Sequence, residues 1–314
     1  MPKKKDKPTV NQHIVPQVYL NNFGTKNHKS EYQIIVLGKR KRIKNRVDVV
    51  KNVGFIKNFY TIDGETDDEK TVWETFYAQT VEPLYSYGVN NLIAKTILSA
   101  KDKIMDVDEK LILGKIIVSQ WLRVPNFINK HTAKAEHELL RFKRKLTQDF
   151  IKADQPRNAN AMKTWQPNPL MPKEFVLTII NDMERFDRFA SILANKAWAV
   201  YYNPYYENMP FITCDNPIIT YNMQSKSFNR DNNGLGRRET TFILPLSPQV
   251  AVQVFPEVYS DYSSSVDGKR FFLSEKDLDF IFTINKAIYQ NANREVYLPL
   301  SLRWVLDTLN EEVN

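Results

Sequence analysis

The residues able to do chemistry in this chain are few and lie far apart. Among four histidines, His13 draws notice because Pro16 follows it at His-x-x-Pro spacing and stiffens the backbone just behind it. A neutral imidazole can ligate a metal, act as a general base or serve as a hydrogen-bonded structural group. Glu74 and Glu82 come next, two carboxylates with aromatic neighbours on one helical stretch, suited to holding a metal or to working as acid and base. Eight residues span roughly 12 Å of regular helix, so both reach one ion only if Pro83 distorts the backbone between them. Asp215 lies in FITCDNPII, where an apolar run ends in Asp-Asn-Pro. A polar turn after a buried strand is a common place for a site and is also an ordinary turn. Arg123 closes QWLRVP. A guanidinium at the end of an apolar helix must find an anion, a row of carbonyls or a ligand phosphate, and an ion pair with Glu74, Glu82 or Asp215 is its purely structural alternative.

Other chemistries find little footing. His-x-x-Pro also occurs in ββα-metal nucleases of the HNH kind, where a histidine activates water against a phosphodiester held by one divalent ion. Those sites need a second Asn or His on a following helix, whereas Val18, Tyr19, Leu20 and Phe23 read as an apolar helix face docking on the core. His131 and His137 do not share a helix face well enough for a zinc pair. With Cys214 as the one cysteine, neither an internal disulfide nor a thiol metal cage can form, which suits a reducing compartment. Gly234-Leu-Gly236 lacks the strand-loop-helix setting of a nucleotide-binding loop, and no serine nucleophile elbow occurs.

The elements that must position these residues fall into three sections. From Tyr32, YQIIVLG and KRKRIKNRVDVV read as two strands around a tight basic turn. Lys39, Arg40, Lys41, Arg42, Lys44 and Arg46 crowd its tip, as a charged edge that resists aggregation or as a ribbon that tracks phosphates. Lys57 to Gly64 reads as a further short strand ending in an Asp-Gly turn. The middle is helical: Trp73, Phe76, Tyr77, Val81 and Leu84 recur at three-to-four spacing, with Pro83 expected to kink or restart the helix. Asp106 to Pro125 reads as a buried central helix with Asp106 as its N-cap, followed by an amphipathic helix whose basic face includes Arg141 and Arg144. Residues 156 to 172 carry four prolines and read as an exposed connection or lid, and a helix is expected from about Lys173 to Asn195. Short β-like runs at close spacing follow, with the basic loop 224–239 between two of them, then a capped amphipathic helix from Ser274 and a short strand. The order predicts an α+β fold: a small N-terminal β section, a central helical section, and C-terminal antiparallel strands with a closing helix. Residues 1–10 read as a basic tail and 11–314 as one domain, divided into a β-rich opening section (11–66), a helical part (67–195) and an α+β part (196–314).

At 314 residues with 42% hydrophobic and 12% aromatic content, the chain can bury a substantial core. Lys and Arg outnumber Asp and Glu by 44 to 36, a formal charge of +8, which attracts polyanions without singling out nucleic acid. The first residues lack the apolar run of a signal peptide, and a mean hydropathy of −0.46 agrees with the absence of a spanning segment, so a soluble cytoplasmic protein without membrane contact is expected.

Taken together, the chain resembles a mostly bacterial family catalogued as a domain of unknown function. The resemblance rests on His13-Ile-Val-Pro16 with Tyr19, Leu20 and Phe23; on Phe59-Tyr60, Glu74 and Glu82; on Arg123-Val-Pro125; on Thr213-Cys-Asp215-Asn216-Pro217; and on Pro245-Leu-Ser-Pro248 and Asn285. It covers nearly the whole chain, with Cys214 where Ser or another small residue is expected. It supplies no activity, but it implies that His13, a helix Glu, Arg123, Asp215, Asn216, Ser247 and Asn285 belong to one pattern. Polar residues spread over the length of a fold that belong together point to a shared cleft.

These readings lead to an expected phosphate-acting hydrolase, foremost a metal-dependent nuclease in a bacterial conflict or phage-defence setting. In it His13 is base or ligand, Arg123 neutralises phosphate, and Asp215 with one of Glu74 or Glu82 binds Mg²⁺ or Mn²⁺, while Asn216 and Asn285 complete the catalytic set. The basic ribbon and the face near Arg141 and Arg144 guide the polyanion. The alternative is a non-enzymatic nucleic-acid-binding or regulatory module that uses its basic surface, and a third reading is a hydrolase of a small nucleotide.

Overall fold

The computed structural model describes residues 10–41, 43–228, 233–257 and 265–311. Most of the basic tail, Arg42 and part of the 224–239 loop lie outside the described residues. The expected α+β order holds. Strand β1 (Asn11–His13) leads into helix α1 (Gln17–Leu20), then β2 (Thr25–Lys26), β3 (Tyr32–Gly38), β4 (Arg46–Val49) and β5 (Phe55–Lys57). Helices follow: α2 (Asp67–Lys70), α3 (Val72–Phe76), α4 (Glu82–Leu84), α5 (Asn90–Leu98), α6 (Val107–Leu122), α7 (Pro125–Lys152), α8 (Pro156–Thr164), α9 (Met171–Ile180) and α10 (Met183–Ala194). The C-terminal part holds β6 (Trp198–Tyr202), β7 (Thr213–Cys214), β8 (Ile219–Asn222), β9 (Thr240–Pro245), β10 (Val250–Val254) and β11 (Lys269–Phe272). Helix α11 (Leu278–Asn291), β12 (Glu295–Leu298) and α12 (Arg303–Glu311) close the chain.

Two sheets carry the frame. One has the order β11-β6-β10-β9-β8 and is antiparallel except for β11, which runs parallel to β6. The other joins the two ends of the sequence: β12 pairs with β3 on one side and β7 on the other, and β3 also pairs with β2 and β4. The small β1-β5 ladder sets His13 opposite Phe55.

Helix α6 runs through the core. Its start is fixed by a capping box, in which the Asp106 side chain accepts the Glu109 N–H at 3.0 Å and the Glu109 carboxylate accepts the Asp106 N–H at 2.9 Å. Leu113, Ile116, Ile117, Val118 and Trp121 are buried along it, each such side chain contributing about 1.5–3 kcal/mol relative to exposure. At Gly114 a Cβ would stand 2.9 Å from the Ala190 carbonyl oxygen, so α6 and α10 approach closely because that residue has no side chain. Arg123 caps the C-terminal end of α6, where a cation complements the helix dipole. Val124 is extended and Pro125 starts α7 at a position whose N–H has no partner in any helix.

Several local expectations need correction. The strand expected over Lys57 to Gly64 is instead β5 followed by a turn, because Asn58 adopts φ 51°, outside the extended range. The stretch 156–172 is not a continuous connection: Pro156 occupies the first turn of α8 and Pro172 the first turn of α9, where a missing N–H costs nothing. The helix expected from Lys173 to Asn195 is two helices, broken at Asn181 and restarted when the Asp182 side chain accepts the Arg185 N–H at 2.9 Å.

Candidate functional site

Between α3 and α5 the helix is not regular. Two π-helical segments, Tyr77–Val81 and Tyr85–Val89, flank α4 and its Pro83. Eight residues of regular α-helix turn through about 2.2 turns and would point Glu74 and Glu82 about 80° apart. A π turn takes up an additional residue and brings positions eight apart back toward one face. Tyr77 and Tyr85 have the same separation, so the segment presents two tyrosines and two glutamates toward Arg123. Both glutamates are half-buried and both feel its charge.

Arg123 is 1% exposed. Its Nη2 donates to the His13 carbonyl oxygen and its Nε to the Tyr60 hydroxyl at 3.3 Å. Its guanidinium carbon lies 4.3 Å from the centre of the Tyr77 ring and 5.8 Å from that of Tyr60. No carboxylate lies within ion-pair distance of it among the described residues, and Nη1 is buried with no hydrogen-bond partner. Burial alone would lower its pKa, but the surrounding Tyr60, Tyr77 and Tyr85 more than offset this and hold it above its ordinary value. Burial raises all three tyrosines in turn. The Tyr85 hydroxyl donates to Gln120 Oε1 at 3.2 Å, and Gln120 Nε2 donates to the Ile14 carbonyl oxygen at 3.0 Å. The segment behind His13 is thus tied to α6 from two neighbouring positions.

The titrating groups around Arg123 are spread apart by their surroundings. Burial pushes Glu74 up to about 7, Arg123 draws it down and Glu82 adds to the rise. Burial also raises Glu82 against the pull of Arg123. His13 is pushed down to about 4 by burial and by Arg123, while a hydrogen bond with the Lys51 backbone works the other way. The imidazole is therefore neutral at pH 7, with its Nε2 buried and unpartnered and its ring set edge-on to Phe55 at 5.8 Å. Gly54, at φ +68°, turns the backbone so that its carbonyl accepts the Ile14 N–H at 2.8 Å, which fixes the strand end that carries His13. On the solvent side, Val18, Glu82, Pro83 and Tyr87 line an open depression of about 610 Å³.

Asp215 belongs to a second network. Its Oδ1 accepts the Asn293 N–H at 2.8 Å, its own N–H donates to the Glu295 carbonyl at 3.1 Å, and Oδ2 is buried without a partner. Burial raises its pKa to about 6, opposed by the Asn293 and Arg294 backbone and assisted by Glu295. Asn216 Nδ2 donates to the Asn291 carbonyl at 3.2 Å and receives, at its own carbonyl, the Asn291 side-chain N–H at 2.6 Å. Asn285 accepts the Ile212 N–H at 3.1 Å and donates to the Pro210 carbonyl at 2.8 Å. Ser247 accepts the Val250 N–H at 3.1 Å in a turn. The asparagine contacts clamp the segments around β7 to α11, and the Ser247 contact closes the turn between β9 and β10. The two networks meet through backbone and amides: Arg294 donates to the Phe55 carbonyl at 3.3 Å, and Asn126, near the start of α7, bonds Asn293. Among the described residues no group of three or more His, Cys, Asp and Glu side chains could hold a metal ion. Glu74 and Glu82 converge on Arg123, whereas the charges that act on Asp215 are those of Glu295 and Arg294.

The basic hairpin is partly used by the fold. Lys39 donates to the Tyr289 carbonyl at 2.8 Å and lies 4.1 Å above that ring, and Arg40 donates to the Asn293 carbonyl at 3.3 Å. Arg46 pairs with Asp48 at 2.7 Å and Glu295 at 3.4 Å. Lys41 and Lys44 are exposed. On α7, Arg141 faces Glu138 at 3.8 Å and Arg144 donates to the Leu140 carbonyl at 3.3 Å, both at the surface.

Sequence reasoning missed Tyr77, Tyr85 and Gln120 and gave Tyr60 no role beyond the resemblance, although the shared separation of Glu74 from Glu82 and Tyr77 from Tyr85 around Pro83 was a signal for the two helical tyrosines. The sequence model of a family described as "Protein of unknown function (DUF4238)" matches residues 11–298, and the chain belongs to that family. No curated protein and no solved structure matches it. Among the described residues no helix is long and apolar enough to cross a membrane.

Proposed function

We propose that this protein hydrolyses a phosphate ester, with nucleic-acid phosphodiesters as the substrate class. The observation that carries the reading is a buried guanidinium with one free arm, Arg123 Nη1, whose charge acts on two half-buried carboxylates of which one titrates near neutrality. Nη1 takes a non-bridging phosphate oxygen and offsets the charge that builds as water attacks phosphorus. The ionised carboxylate accepts the proton of that water, and the protonated one delivers a proton to the leaving oxygen as the P–O bond breaks. Glu74, at about 7, is matched to such exchange at physiological pH. His13, at about 4, is a weak base there and acts as a neutral hydrogen-bonding partner through Nε2. Mg²⁺ or Mn²⁺ would be held by the ionised one of Glu74 and Glu82 and would supply charge stabilisation there, since Mg²⁺ can be bound through one or two carboxylates plus substrate, while the protonated one keeps its role as acid. Asp215, Asn216 and Asn285 support the frame around this centre, while Lys41, Lys44, Arg141 and Arg144 attract the polyanion. The test is incubation of purified protein and Mg²⁺ or Mn²⁺ with plasmid DNA, RNA and bis(4-nitrophenyl) phosphate. Cleavage that falls at least about 100-fold in Glu74→Gln supports the reading; three intact substrates with either metal reject it.

A second reading, a non-enzymatic nucleic-acid-binding module, draws on the engagement of Asp215, Asn216 and Asn285 in backbone clamps. Under it His13→Ala and Asp215→Ala lose stability, charge reversal at Lys41 and Lys44 abolishes binding, and no phosphate ester turns over.

A further inference from the structure

We propose that the cavity bordered by α7, α9 and α10 binds one elongated amphiphile with an anionic head, of the fatty-carboxylate class. The cavity holds about 870 Å³, within the range of about 300–1,000 Å³ usual for small-ligand sites. Its floor is Trp121 and Leu122, the turn of α6 just before Arg123, and its walls are apolar side chains that include Phe127, Phe142, Val176 and Ile179. Phe127, His131, Ala135, Leu139 and Phe142 follow one stripe of α7, so the space extends along about 22 Å of helix. Spread along that length, a cavity of about 870 Å³ is long and narrow, a shape that a single chain of methylene groups fills.

The charge at the rim selects the head group. His131, Lys134 and Arg185 border the cavity, and Glu138 is its one acidic lining residue. Glu138 stands 3.8 Å from both His137 and Arg141 on its own helix. Lys134 and Arg185 have no ion pair within 4.0 Å among the described residues. Lys130 and Lys134, after burial, also act to keep His131 uncharged, so the potential beside His131 is positive. An apolar trough bordered by two cations that have no ion pair among the described residues is complementary to an alkyl carboxylate.

The test is calorimetric titration of the full-length protein with dodecanoate below its micellar concentration, beside dodecyltrimethylammonium and dodecanol. One saturable site is expected, with dodecanoate at least about tenfold tighter than the cationic chain, a preference of about 1.4 kcal/mol. The double variant Lys134→Glu/Arg185→Glu should lose that preference while its dodecanol affinity stays within about twofold. Ile179→Trp, which fills the trough, should abolish binding of all three chains; if its melt shows loss of fold, the surface double variant decides alone. No saturable dodecanoate binding, equal affinity for the cationic chain, or an amphipathic peptide or second copy of the chain that occupies the trough while dodecanoate does not, overturns the proposal.

Discussion

Replacing Glu74 by glutamine should make the protein more stable at alkaline pH while removing its activity. The neutral form of Glu74 is favoured in the folded state, where burial lifts its pKa from 4.5 to about 7. Its contribution to stability is therefore fully present below pH 4.5 and is lost as the pH rises through about 7. That rise corresponds to roughly 3 kcal/mol at 1.36 kcal/mol per pH unit. Glu74 is only half-buried, and solvent screening reduces the figure to about 1–2 kcal/mol. Glutamine reproduces the neutral form at every pH. In metal-free urea unfolding, Glu74→Gln and the parent should have nearly equal stability at pH 4.5, and the variant should lead by about 1–2 kcal/mol at pH 8.5. A stability gain coupled to lost turnover is expected of a residue held in an unfavourable state for function. Two stability profiles that stay parallel from pH 4.5 to 8.5 would refute the reasoning, because the carboxyl would then titrate alike in the folded and unfolded chains.

His13 carries the opposite sign: its folded pKa of about 4 lies below the model-peptide value of 6.5, so its contribution is present above pH 6.5 and lost as the pH falls toward 4. His13→Gln should flatten the acid limb of the stability profile by about 2–3 kcal/mol, read by the same unfolding series. Asp215 behaves as Glu74 does, with stability lost as the pH rises from 3.8 through about 6. Asp215→Asn keeps an acceptor for the Asn293 N–H and should remove about 3 kcal/mol of that dependence, visible in thermal melts at pH 4 and 7. Gly114→Ala forces a methyl against the Ala190 carbonyl oxygen and should cost about 1–3 kcal/mol in urea unfolding.

The fold class was legible because hydrophobic spacing and caps act locally. Asp106 and Glu109 mark the start of α6 in the sequence, and the β-branched runs from Trp198 onward became strands. Long-range pairing was not legible: nothing in EVYL specifies that β12 returns to β3, because that register is decided by the core face it covers. Proline was misread where it begins helices, as at Pro156 and Pro172, since the same residue that breaks a helix interior suits its first turn. For the candidate site, His13, Glu74, Glu82 and Arg123 were named from the sequence and meet in space. Their meeting depends on the π segments around Pro83, which no spacing rule for a regular helix foresees. The tyrosines around Arg123 were hidden for a related reason: a sequence position does not tell whether an aromatic ring fills a core or faces a cation. Asp215, Asn216 and Asn285 hold backbone to backbone, a role that their residue types in the sequence did not distinguish from a catalytic one.

The most direct measurement is the turnover of bis(4-nitrophenyl) phosphate with Mg²⁺ or Mn²⁺ by the parent protein, Glu74→Gln and Glu82→Gln, each checked for an intact melt. The account predicts hydrolysis by the parent and losses of at least about 100-fold in both folded variants. Hydrolysis at the parental rate in both variants, or none in the parent, would contradict it.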